Sequence, residues 1–294
     1  MNHKRLASPS PFRALLLSLA LWLIGAPMFS QSGWTRSPGK SWSQLSYTGW
    51  TSDQYFGFEG NSLESGTFSQ RDFSFYGEYG VWKNLNVIVN APILRSLSYD
   101  HTSASRGIGD LRIDLKYGLL QSKIPISIAF GAELPTGKAN QNVENSLPNS
   151  QPINLPPGDG EWNYWTTLAL SGSNSKMFGT AYFAYNVRTD YEGFEFADQL
   201  KVGIEVGKSV GKMSFLILKG SVLSSLSSSQ NVNETEFLRQ NGIALSQINL
   251  LFLRQLDENW GYSIGFMHSG NFPVMINNAF QSNALQLGLT YEIK

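Results

Sequence analysis

The 294 residues carry 22 basic and 22 acidic side chains, three histidines and no cysteine, and 13% of them are aromatic. Without cysteine there is no disulfide framework, no thiolate nucleophile and no Cys-based metal site. Balanced charge with no basic cluster argues against a nucleic-acid partner, whose phosphates call for a concentrated positive face.

Lys4, Arg5 and Arg13 open the chain, an apolar run follows from Ala14 to Gly25, and Ala26, Pro27 and Ser30 supply small or helix-breaking residues. That three-part order predicts a secretory signal peptide over 1–30, because the apolar run falls short of the ~20 residues a membrane helix needs. Its removal leaves one domain of barrel size, 31–294, with 19 basic against 22 acidic residues and a net charge of −3. Charged or polar residues interrupt every later apolar run, so no transmembrane helix is expected.

Strands are predicted over 42–51, 71–80, 84–95, 107–118, 125–134, 161–172, 177–188, 198–210, 213–224, 239–254, 259–269 and 281–294. Leu85, Val87, Val89 and Ala91 alternate with Asn86, Ile88, Asn90 and Pro92. In the clearest case Leu111, Ile113, Leu115 and Tyr117 point one way while Asp110, Arg112, Asp114 and Lys116 point the other. Period-two alternation this strict excludes a helix, which would spread both sets around its circumference. Ile126, Ile128 and Phe130 alternate with Ser127, Ala129 and Gly131, and Leu200, Val202 and Ile204 with Lys201, Gly203 and Glu205. Small inward residues are expected to leave room in an interior. The strand at 213–224 fits least well, because Phe215 to Leu218 is apolar on both faces. The last strand sets Leu285, Leu287, Leu289, Tyr291 and Ile293 against Gln286, Gly288, Thr290, Glu292 and Lys294, which suits a closing strand.

The connections alternate between short turns (81–83, 119–124, 173–176, 211–212, 255–258) and long polar loops (52–70, 96–106, 135–160, 189–197, 225–238, 270–280). Tight turns on one rim and long loops on the other are the signature of an outer-membrane barrel. The expected fold is therefore all-β, an antiparallel transmembrane β-barrel of about twelve strands, with ten or fourteen as alternatives and both termini periplasmic. Cell outer membrane is the expected location. Tyr55, Phe56 and Phe58 in the first long loop read either as a hydrophobic ligand contact or as an aromatic girdle on a longer first strand.

Several of these segments resemble the outer-membrane protein family named after the MetA pathway of phenol degradation. The resembling stretches are Tyr76, Tyr79 and Gly80 before a short turn; Gly109-Asp110-Leu111 leading to Lys116-Tyr117-Gly118; Leu134-Pro135-Thr136-Gly137; and Gly158-Asp159-Gly160-Glu161-Trp162. The resemblance covers about a third of the mature chain and contains no catalytic signature. It implies a transporter-type barrel that passes small, often aromatic or hydrophobic, compounds.

Candidate lumen-lining residues are Glu78, Asp110, Arg112, Asp114, Lys116, Glu133, Lys201 and Glu205. Lumen charges set ion preference and bind polar solutes; alternatively they pair across strands as a ladder that fills a narrow barrel. Expected partners are outer-membrane lipid, a small-molecule solute and the barrel-assembly machinery. No catalytic residue, cofactor or metal is expected. Two other readings compete with a channel: a closed structural or adhesive barrel with ligand-binding loops, and an outer-membrane phospholipase. The latter meets an obstacle, since His268 and Ser269 are adjacent on a strand and point to opposite faces.

Overall fold

The computed structural model describes residues 31–226 and 241–294. The signal peptide expected over 1–30, most of the predicted loop 225–238 and the start of the strand predicted at 239 lie outside these residues. Twelve strands form the wall: β1 (Ser41–Phe56), β2 (Ser62–Trp82), β3 (Leu85–Tyr99), β5 (Leu111–Leu120), β6 (Ile126–Leu134), β9 (Asn163–Ser173), β10 (Met177–Arg188), β11 (Gln199–Gly211), β12 (Ser214–Ser225), β13 (Ala244–Gln255), β14 (Trp260–Gly270) and β16 (Ser282–Ile293). Among the described residues, four short elements decorate one rim: β4 (Ser105–Gly107), β7 (Asn142–Val143), β8 (Ile153–Asn154) and β15 (Ala279–Phe280). Each wall strand pairs antiparallel with its sequence neighbour, and β1 closes the circle by pairing with both β2 and β16, from Ser41↔Ile293 to Thr51↔Asn283. Closure leaves no unpaired edge, which a strand in hydrocarbon could not tolerate.

The alternation is realised in side-chain placement. On β5, Ile113, Leu115 and Tyr117 are exposed on the outer wall while Asp114 and Lys116 are buried inside. Leu168, Val202, Leu218, Leu250, Leu285 and Leu287 continue the outer apolar band around the barrel. Exposed aliphatic surface on this scale is lipid-compatible, and it would be an aggregation liability in water. Trp260 and Tyr291 pack at 4.8 Å near the short-turn rim, and Trp162 and Tyr164 stack at 6.3 Å near the other, as interfacial girdles require.

The expected loop 52–70 is mostly strand. β1 and β2 run on as a two-stranded ribbon and turn only at 57–61, with Gly60 at φ +73°. A bulge between Ser52 and Gln54 changes the parity of β1, so Tyr55 turns inward onto Phe280 at 5.3 Å instead of joining an outer girdle. β12 is a regular wall strand. Its inner apolar residues, the reason it fitted poorly, have a partner inside the barrel.

Candidate functional site

The lumen is built in three levels. At the short-turn end, residues 31–40 cross the interior before β1 begins. Gly33 N–H donates to Ser171 Oγ (2.8 Å), Ser127 Oγ donates to the Ser32 carbonyl (2.8 Å), and Gln121 Nε2 donates to the Gly33 carbonyl (2.8 Å). A Cβ on Gly33 would stand 2.1 Å from the Pro125 carbonyl oxygen, so only glycine lets the segment lie this close to the wall. Trp34 packs with Phe178, edge-on at 6.4 Å, over an apolar floor of Ile217, Leu251, Leu253 and Phe215. Arg36 then reaches Glu292 on β16 (3.0 Å) and Glu78 on β2 (3.6 Å).

Charged residues occupy the middle. Glu78 also holds Lys116 and accepts from Asn86 Nδ2 at 2.7 Å. Arg112 holds Asp114 at 2.7 Å and lies over the Trp165 ring at 4.7 Å. Lys219 pairs with Glu205 at 3.3 Å, and Asn163 Nδ2 donates to Glu133 (3.4 Å). Buried charges need such partners, because an unpaired ion out of water is costly. Glu78, Asp114 and Lys116 are thus enclosed by their own network. Lys201 and Glu205 line open volume, together with Tyr182, Gln247, Asn249 and Met267.

The expectation that small inward residues leave room is corrected here. A Cβ on Gly203 would fall 2.4 Å from the Tyr182 ring, one on Gly207 2.1 Å from Phe178, and one on Gly131 2.0 Å from Asp114 Oδ1. Each glycine is covered by a large side chain from the neighbouring strand. The glycines permit filling.

At the long-loop end the interior becomes aromatic. Phe68 stacks on Phe280 (5.2 Å) with Trp50, Tyr55 and Tyr99 around them. Val143 and Leu155, from the 135–162 connection, are buried against this cluster. The longest loop therefore folds into the mouth. A cavity of about 340 Å³ lies below, walled by Trp50, Phe68 and Phe280 on one side and by Leu223, Ile243 and Leu245 on another. Asp72 and Arg95, paired at 3.0 Å, stand in its lining. It shares Lys201, Gln247 and Met267 with the lower cavity of about 190 Å³.

Three of the resembling stretches meet at one point beside the mouth. Asp110 precedes β5 and accepts from the backbone N–H of Gly137 (2.9 Å) and of Asp159 (2.7 Å). Thr136 Oγ1 accepts from Leu111 N–H and donates to the Gly109 carbonyl. Gly137 and Gly158 touch so closely that a Cβ on either would collide with the other's backbone. These residues anchor the loop, and Asp110 does not face the open cavities. Asp159 is buried beside them; burial first, then the Glu161 and Asp110 carboxylates, push its carboxyl well above the usual carboxylate range, with Arg188 opposing.

Sequence reasoning missed Arg36, which lies outside any alternating strand, and the ion pair of Arg188 with buried Glu161. Position 188 ends a predicted strand, but nothing marked its partner. His268 faces outward and bonds Asn283 (2.9 Å), while Ser269 faces inward and accepts from Gln247 (3.2 Å). The strand thus separates the two groups a hydrolytic dyad would need. Among the described residues no cluster of His, Asp or Glu has the geometry of a metal site.

No family model matches the sequence, and no curated protein does. Solved structures do match in fold. An outer membrane channel from Pseudomonas putida F1 superimposes with a TM-score of 0.64 at 14% identity, covering 91% of this chain and 100% of that one. The translocator domain of the autotransporter NalP from Neisseria meningitidis gives 0.52 at 8% identity over 96% and 95% of the two chains. The NanC porin gives 0.51 at 9% identity over 85% and 100%. These proteins share the outer-membrane barrel architecture while serving different ends, so the likeness speaks for the fold.

Proposed function

We propose that this chain is an outer-membrane channel of the transport type, for small compounds of partly apolar or aromatic character. The observation that carries the reading is the pair of lumen cavities, which share Lys201, Gln247 and Met267 and so follow one another along the interior. The resemblance to the family named after the MetA pathway of phenol degradation supports the same class of solute. Orientation follows from the rims: long connections outside, both termini periplasmic, and residues 1–30 acting as the export signal. Residues 31–40 stand across the inner end of the path as a removable seal. Because Glu78, Asp114 and Lys116 are enclosed in ion pairs, ion preference in this reading is set by Lys201, with the Glu205–Lys219 pair lining the same lower cavity.

The test is single-channel conductance of the detergent-purified mature protein in planar bilayers. Small, reproducible steps whose cation-to-anion preference moves toward cations in Lys201→Glu support the channel. A correctly folded barrel that stays silent, and remains silent after residues 31–40 are deleted, would return the protein to a closed barrel with binding loops.

A further inference from the structure

Lys201 differs from the other cations of the interior. Arg95, Arg112, Lys116, Arg188 and Lys219 each hold a carboxylate within ion-pairing distance. Among the described residues no carboxylate lies that close to Lys201, and no hydrogen bond satisfies its ammonium. It is a partly exposed lysine on an inward position of β11, and the exposure is to the lumen, where it borders both cavities. A half-buried ammonium without a counter-ion is less favourable than a paired one, and an anion beside it removes part of that cost.

The upper cavity supplies the rest of a binding site. Its aromatic wall (Trp50, Phe68, Phe280) and aliphatic wall (Leu223, Ile243, Leu245) offer apolar contact, and its volume of about 340 Å³ falls at the small end of ligand pockets. The one carboxylate among the described lining residues, Asp72, is occupied by Arg95 Nε at 3.0 Å and by Gln70 Nε2 at 2.5 Å, so its charge does not repel an incoming anion. Gln247, which lines both cavities beside Lys201, can turn its amide toward the same group.

We infer that the upper cavity is a binding site for a small amphipathic monoanion, an aryl or alkyl carboxylate, with its charged group on Lys201 and its apolar body between the aromatic and aliphatic walls. The inference deepens the reading of the lumen as a solute path by naming the solute's charge and shape. Lys201 acts as the anchor that distinguishes a carboxylate from a neutral molecule of equal size.

Calorimetric titration of the full mature protein in nanodiscs tests this with two probes of matched shape, 4-phenylbutyrate and 4-phenylbutanamide. The expected result is at least tenfold tighter binding of the carboxylate by the native protein. Lys201→Gln should bind both probes alike, and Lys201→Arg should restore the preference. Equal binding of the two probes by the native protein overturns the assignment. So does a tenfold carboxylate preference that survives in Lys201→Gln. If Lys201→Gln does not fold, the native ratio and the Lys201→Arg variant still decide. Binding and conduction separate cleanly: carboxylate preference in a barrel that never conducts sinks the passage and keeps the site, whereas conduction without preference sinks the site and keeps the passage.

Discussion

Arg36→Ala is the sharpest perturbation of the inner seal. The guanidinium bridges Glu292 at 3.0 Å and Glu78 at 3.6 Å, so only the first contact is within hydrogen-bond reach. Truncating one member of a buried, hydrogen-bonded charge pair costs about 2–5 kcal/mol, much of it from the charge left behind. Glu78 keeps Lys116 and Asn86 as partners, whereas the Glu292 carboxylate loses its ion pair, so the lower end of that range is a floor. A loss of about 2 kcal/mol raises the undocked population of residues 31–40 about 30-fold. Trp34 adds a half-buried aromatic contact on Phe178, so Trp34→Ala removes about 1–2 kcal/mol more. The two changes act on one short segment and need not add linearly. The double variant should show larger or more frequent conductance steps in planar bilayers, and limited proteolysis should cut within 31–40 where the native protein resists. A double variant with native conductance and native resistance would refute the idea that these contacts hold the segment in the lumen.

Other predictions concern the wall and the mouth. Leu115→Arg places a charge on the lipid face and should lower stability by about 2–4 kcal/mol in urea unfolding from liposomes, if the site lies near the bilayer midplane. Gly203→Val should cost about 1–3 kcal/mol by overpacking against Tyr182, and Tyr182→Ala in the same chain should recover most of it; no recovery would mean the backbone itself requires glycine. Asp159 is raised in the folded protein, so the contribution of its neutral form is complete below the unfolded carboxyl value and is lost as pH rises through the elevated one. Amide exchange around 158–162 should accordingly grow faster with pH than intrinsic exchange does, and Asp159→Asn should flatten that excess.

The wall was legible because lipid writes a simple pattern: every second residue of a strand such as Leu111–Leu120 must be apolar, and the others are free to be charged. The protruding ribbon of β1 and β2 was not legible as strand, because above the lipid nothing forces that alternation; Ser65, Gly66 and Thr67 carry no apolar face. Inward glycines looked like vacant space because the sequence names the missing side chain but not the Tyr182 or Phe178 ring that covers it. The same holds for the charges. Alternation placed Arg112, Asp114 and Lys116 inside; Arg112 meets Asp114 on its own strand, whereas the meeting of Lys116 with Glu78 depends on register between β2 and β5 through β3. Lys201 stands out only once all the pairs are known. Residues 31–40 were invisible to a strand pattern, and their place follows from Gly33, Trp34 and Arg36 acting one at a time.

The partners of residues 31–40 also impose an order of events. Ser127 and Ser171 belong to β6 and β9, Glu78 to β2 and Glu292 to β16, the last strand of the wall. The segment precedes β1 in the chain, yet the Arg36–Glu292 part of its docking site is complete only when β16 has met β1. The last of its contacts therefore forms only with closure of the wall. A barrel stalled before closure would keep the docking surfaces for Gly33 and Trp34 and lack the Arg36–Glu292 tie, so that one ion pair is a chemical record that the wall is complete.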